Sequence, residues 1–183
     1  MPEPESTPSQ HIAAALLGAQ RVVVLTGLML GRPDDEDLTS ARSAWAQQAS
    51  LEVLLTDPAS FWRFCHPAAQ AIAQRPITAA HRALVRLQQA GIIGHLITQS
   101  VDHRQTIAGA HDVIEVHGNI LTARCTRCGE RYGLAEISEL LSAAADGVPR
   151  CTAAECAYPL RPSSTLWGEP LIEDAVRRAW DVT

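Results

Sequence analysis

Two stretches of the chain are apolar without alternation and end in turn or polar residues: Val22-Val23-Val24-Leu25, closed by Thr26-Gly27, and Ile92 to Thr98, closed by Gln99-Ser100-Val101-Asp102. Short runs of this kind, rich in β-branched residues, predict strands of a parallel sheet covered on both faces. Val113 to Val116 predicts a third strand, followed at once by His117-Gly118. Between them the spacing turns helical. His11 to Gln20, Leu38 to Ser50 and Pro58 to Gln74 read as helices, and Thr78 caps another whose apolar face uses Ala80, Ala83, Leu84 and Leu87, with Gly91 as its stop. Right-handed crossovers then place the three polar strand ends on one rim, where an α/β sheet binds its ligand.

Ile120 to Pro162 breaks this rhythm. It holds two cysteine pairs around a helical stretch, Leu134 to Ala145, and reads as a small inserted module; Leu171 to Trp180 is a final helix. The expected organisation is a flexible arm over residues 1–10, a parallel α/β domain from residues 11–119 and 163–183, and a small cysteine-bearing module over 120–162. The acidic run Asp34 to Asp37 reads as a solvated loop leading into a helix.

The 183 residues amount to about one domain, and a hydrophobic fraction of 46% suffices for a core. The longest apolar run, Val22 to Leu30, is far short of the roughly 20 residues a membrane span needs. A net charge of −5 argues against nucleic acid held by bulk electrostatics, and Arg124, Arg127 and Arg131 near the first cysteine pair read as a solvated face. Every one of the 15 basic residues is arginine. Met1 to Gln10 carries prolines and glutamates with neither a basic nor an apolar signal region after it, so no signal peptide is expected and a cytoplasmic, reducing compartment is the default.

In such a compartment, cysteines in close pairs point to metal. Cys125-x2-Cys128 and Cys151-x4-Cys156 are separated by 22 residues, a spacing that suits a zinc ribbon better than an iron–sulfur cluster; Cys65 stands alone. Four thiolates leave no open position, so the zinc is expected to be structural. On the rim, Asp102 and His117 are the acid and histidine at strand ends, and a histidine there can act as a general base. A lone histidine is more often structural, and periodicity alone does not single out His117.

Leu96-Ile97-Thr98-Gln99-Ser100-Val101-Asp102, Ala108-Gly109 and Val113-Ile114-Glu115-Val116-His117-Gly118 resemble the sirtuin family of NAD-dependent protein-lysine deacylases. The flanks agree: Val22 to Gly27 looks like the family's first strand and Thr-Gly turn, and the four cysteines match its structural zinc site. Leu160-Arg161-Pro162 and Trp167-Gly168-Glu169 look like its Leu-Arg-Pro and Phe-Gly-Glu. The resemblance runs from about residue 11 to 172. It implies a Rossmann-like sheet binding NAD against a small zinc domain, with an acyl-lysine protein substrate entering from the other side. It also implies His117 as general base for a ribose hydroxyl, Thr26 and Gly27 in the first cofactor turn, Gln99 at the ribose, Ser100 beside the nicotinamide pocket and Asp102 at the nicotinamide amide.

The sequence departs from the family's pattern at several places. Gly27-Leu28-Met29 replaces a glycine-rich turn, and Gly31-Arg32-Pro33-Asp34-Asp35-Glu36 puts two acids where the family has phenylalanine and arginine. Ser100 and Gln105 stand for asparagine and histidine. The family's later strands are not matched after Thr183, so the sheet is expected to be incomplete on its C-terminal side, with an open edge covered by a homo- or hetero-oligomer. Besides deacylation, a catalytically impaired regulatory relative and a zinc-ribbon interaction module remain as alternatives.

Overall fold

A computed structural model describes residues 7–27, Leu30 and residues 38–183. The expectations for residues 1–6, for Leu28-Met29 and for Gly31 to Asp37 lie outside these residues. Strands β1 (Val23–Thr26), β2 (His95–Thr98) and β3 (Val113–Glu115) form a parallel sheet in that order. The register pairs Thr26 with Thr98 and Thr98 with Glu115, so all three carboxyl ends meet at one rim, as the strand pattern predicts.

Side chains alternate across a strand, and two helices use the two faces. Val22, Val24, Leu96 and Val113 turn toward α5 (Ala79–Gln89), which meets them with Leu84, Val85 and Leu87. Val23, Ile97 and Ile114 turn the other way, toward Ala175, Ala179 and Val182 of α8 (Glu173–Val182). β1 departs from the expected full burial. It is an edge strand among the described residues, and α8 covers Val23 but leaves Leu25 64% exposed.

The buried stripe of α5 is rotated from the expected one. Ala80 is exposed, while His81, Val85 and Gln88 are buried. Hydropathy misses this because the two polar side chains are internally satisfied. The His81 Nδ1 lies 2.7 Å from the hydroxyl of Thr78, the N-cap, and Gln88 exchanges two hydrogen bonds with the His111 backbone, at 2.7 and 3.0 Å. Gly91 closes the helix at φ +71°, where glycine is at ease.

The first helix, α1 (Pro8–Gly18), starts earlier than expected because Thr7 and Gln10 form a capping box; none of its residues is buried. α2 (Leu38–Gln48) is followed by a short helix the pattern does not announce, α3 (Leu51–Thr56), capped by Ser50. α4 (Pro58–Ala73) is capped by Asp57, whose carboxylate accepts the Ser60 N–H at 3.0 Å. A single helical turn, α6 (Arg104–Ile107), follows β2.

The segment after the rim forms a second sheet, antiparallel, in the order β5 (Arg131–Gly133), β4 (Thr122–Cys125), β6 (Leu160–Pro162), with α7 (Leu134–Ala143) beside it. Its apolar side does not close on itself. Ala123, Tyr132, Ile137 and Leu160 pack with Phe61, Trp62 and Cys65 of α4 in one cluster, and this shared core fixes the small sheet against the helices. Full burial of each large apolar side chain there is worth roughly 1.5–3 kcal/mol. No helix of the described residues is long and apolar enough to cross a membrane.

Candidate functional site

The rim is built from residues that directly follow the parallel strands. Thr26, at the end of β1, is buried; its hydroxyl receives the Gln105 amide at 2.8 Å, and its carbonyl receives the Gln99 N–H at 2.9 Å. Gly27 opens beyond it: a Cβ there would meet only the Gln99 side-chain oxygen, at 4.0 Å, so a ligand can approach that backbone closely. Gln99 itself is exposed. Ser100 is buried and donates its N–H to Thr98 Oγ1 at 3.0 Å, while Asp102, also buried, accepts the Arg104 N–H at 3.1 Å and so shapes the entry to α6.

Three buried polar atoms in this block have no hydrogen-bond partner: Ser100 Oγ, Arg104 Nε and Gln105 Oε1. Each orphan of this kind costs about 1–3 kcal/mol, and native chains keep few without reason. All three lie in the segment that follows β2, and Gln105 reaches Thr26, which precedes Gly27, so the block suits a ligand rich in hydrogen-bonding groups, as NAD is. Arg104 is not among the residues the sequence singles out, whereas Gln105 is the one that stands where the family has histidine. The Arg104 guanidinium is spent on the Ile72 carbonyl, and Gln105 joins β1 to β2 by donating also to Thr98 Oγ1 at 3.2 Å.

His117 follows β3 and is half-buried. Burial holds its imidazole below the usual histidine range, so the ring is neutral and able to accept a proton near pH 7. No side-chain hydrogen bond holds that ring among the described residues. Its backbone is held instead: the His117 carbonyl accepts the Thr165 N–H at 2.8 Å. Gly118 must be glycine, because it sits at φ +62° and a Cβ would lie 2.2 Å from the Ser163 carbonyl oxygen.

A second histidine shares the rim, contrary to the expectation that His117 stands there alone. His103 Nδ1 lies 2.6 Å from Glu115 Oε1, and that hydrogen bond raises its pKa. Glu115 accepts further from Asn119 Nδ2 at 3.2 Å, and Asn119 accepts from Thr122 Oγ1 at 3.0 Å. The two histidines therefore have opposite tendencies, one toward the imidazolium and one toward the neutral base.

The four cysteines of the small sheet converge. All their sulfurs lie within 4.8 Å of one another, with Cys125–Cys156 at 3.6 Å and Cys128–Cys151 at 3.5 Å. A zinc tetrathiolate with bonds of ~2.3 Å has edges of about 3.8 Å, whereas a disulfide needs about 2.05 Å. The donor set thus fits a closed, structural zinc site held by Cys125, Cys128, Cys151 and Cys156. Tyr132 donates its hydroxyl to Cys151 Sγ at 3.2 Å and accepts the Thr152 N–H at 2.8 Å, orienting one ligand from outside. Cys65 takes no part: it is buried in the α4 core, which pushes its thiol up to about 12.

Comparison with known proteins bears on both centres. Residues 34–183 match the model of the Sir2 family. The chain is 30% identical over 178 residues to the NAD-dependent protein deacetylase of Sulfolobus acidocaldarius, covering 93% of this chain and 69% of that one. It is 33% identical over 177 residues to NAD-dependent protein deacetylase 1 of Geobacillus kaustophilus, with the same 93% and 69% coverage. Among solved structures, Sir2Tm bound to a propionylated peptide superposes with a TM-score of 0.82 at 27% identity, over 96% of this chain and 71% of that one. A complex of Sir2 with a p53 peptide and NAD+ superposes with a TM-score of 0.81 at 28% identity, over 96% and 71%. The parallel sheet, its carboxyl rim and the four-thiol module are thus those of a known lineage, and the chain belongs to the Sir2 family.

Proposed function

We propose that the protein is an NAD-dependent protein-lysine deacylase, which releases nicotinamide and transfers the acyl group to ADP-ribose. The observation that carries this reading is the shared carboxyl rim, where His117 follows β3 and Ser100 and Gln105, each with a buried polar atom lacking a partner, follow β2.

NAD, when bound, supplies a ribose carbon from which nicotinamide departs and to which the acyl oxygen attaches. The residues of the chain do the rest. Thr26 and Gly27 would let the backbone approach the cofactor, Gln99 would hold the ribose, and Ser100 and Asp102 would serve the nicotinamide amide. His117 would take the proton from a ribose hydroxyl, and burial, by holding its pKa below the usual range, favours the neutral form that can accept it. Positioning and one base suffice, because the leaving group departs as a neutral ring. The four thiols would hold zinc as a closed structural site that keeps the small sheet folded and takes no part in the chemistry.

In this reading the chain divides into a Rossmann-like part, residues 11–119 with 163–183, and a zinc module, residues 120–162. The substrate is an acyl-lysine protein, supported by the propionylated and p53 peptides bound to the solved relatives. The exposed Leu25 on the edge strand supports an oligomer covering that edge. The close thiols support a reducing, cytoplasmic setting.

The test is nicotinamide release from NAD in the presence of an acetyl-lysine or propionyl-lysine peptide. Wild type should turn over and His117→Ala should not. A thermal shift with ADP-ribose tests binding separately, since a ligand of the folded state must stabilise it. Wild-type silence in both assays would overturn the reading.

A further inference from the structure

Arg161 and Glu169 form a two-pronged ion pair, Nη1 to Oε1 at 2.5 Å and Nη2 to Oε2 at 2.7 Å, with side chains only 13% and 15% exposed. Both groups have further work on the loop they close. Arg161 donates to the Ser164 carbonyl at 3.1 Å and to the Pro162 carbonyl at 3.3 Å. Glu169 Oε2 accepts the Leu166 N–H at 2.8 Å. The pair thus cinches residues 161–169 into a closed strap.

That strap touches three places in the fold. Ser163 donates its N–H to the Thr122 carbonyl at 2.9 Å, Trp167 accepts the Leu51 N–H at 2.9 Å, and Thr165 donates to the His117 carbonyl at 2.8 Å. The Ser163 carbonyl also fills the space that a side chain at Gly118 would need. Two of the strap's own side chains give it no hold, because Ser163 Oγ and Thr165 Oγ1 are buried without partners. The His117 ring has no side-chain hydrogen bond among the described residues either. Its place is set by its backbone, and its backbone is gripped by the strap.

We infer that Arg161 and Glu169 are a positioning pair for His117: by closing the strap they fix the Thr165 grip on the histidine backbone and hence the depth of the imidazole. The inference rests on the deacylase reading for its kinetic consequence and on the contacts alone for its structural one. Arginine suits the task, since its planar fork meets a carboxylate at two points where lysine meets it at one.

The experiment is a titration of the His117 imidazole by NMR in the full zinc-loaded chain, wild type against Glu169→Gln, with deacylation kinetics and their pH profile on the same samples. Glu169→Gln keeps the shape and removes the charge. The His117 midpoint should rise toward the ordinary histidine value of about 6.5 as the ring gains water. The acid limb of the rate profile should move with it, kcat should fall on the order of tenfold, and KM for NAD should hold. Arg161→Glu combined with Glu169→Arg should return the midpoint and the rate toward wild type. Should Glu169→Gln fail to fold, Arg161→Lys, which keeps the charge and loses the fork, should give an intermediate midpoint. A folded Glu169→Gln whose His117 midpoint and acid limb match wild type overturns the inference. A wild type without turnover defeats the deacylase reading instead, and the NMR comparison then still decides the positioning pair.

Discussion

His103 Nδ1 and Glu115 Oε1 meet at 2.6 Å, twelve residues apart in sequence, with His103 at the N-cap of α6 and Glu115 at the end of β3. The pair sets Glu115, two residues before His117 in the chain, against a second histidine that tends toward the imidazolium. The Glu115 hydrogen bond raises the folded-state pKa of His103, so its contribution to stability is complete below the unfolded value of about 6.5 and fades as pH rises through the folded value. The thermal midpoint of wild type should therefore decline across that interval more than that of Glu115→Gln. Parallel midpoint-against-pH curves would show that the pair contributes nothing.

Glu169 behaves with the opposite sign. The Arg161 guanidinium holds its carboxyl below the usual range, so its stabilisation is present above the unfolded pKa of about 4.3 and is lost as pH falls through the folded one. Acid unfolding should begin at higher pH in Arg161→Ala than in wild type, and Glu169→Gln should flatten the acid limb of a stability profile followed by circular dichroism.

Gly118→Ala should be severe. The new methyl would stand 2.2 Å from the Ser163 carbonyl oxygen on a backbone at φ +62°, so the strap or the turn must move. A loss of about 3 kcal/mol in denaturant unfolding is expected, together with loss of deacylation. Gly129→Ala, also at positive φ but with nothing near its missing Cβ, should cost less.

Gln105→Leu separates binding from stability. It removes two donated hydrogen bonds, to Thr26 and Thr98, but it also removes the unpartnered Oε1. These terms are of similar size, so the unfolding free energy should change by less than about 1 kcal/mol. The thermal shift produced by ADP-ribose should shrink, because Gln105 ties Thr26, which precedes the open Gly27 turn, to β2.

Much of this arrangement is legible in the residues themselves. The β-branched runs mark the three parallel strands, and the polar clusters that follow them do share a rim. Cysteine spacing marks the four-thiol cluster, since a zinc site needs its donors at fixed separations. What escapes is whatever depends on a partner distant in sequence. The burial of His81 and Gln88 runs against hydropathy, because their polar atoms are paid for by Thr78 and by the His111 backbone. The His103–Glu115 pair joins residues that share no periodicity, and α3 and α6 are too short for any pattern to announce. Leu25 reads as core in the sequence and lies open in the fold, since a run of apolar residues does not say how many neighbours its strand has.

Removing the metal should be felt far from the thiols. Arg161 is the register partner of Arg124 in β4, the strand that ends in Cys125, and the same arginine grips Glu169. Slackening of the small sheet on chelation is thereby handed to the loop that seats the imidazole. A zinc-starved cell would hold a molecule whose three parallel strands still stand and whose His117 has lost its seat, loosened at the rim before it is lost as a fold.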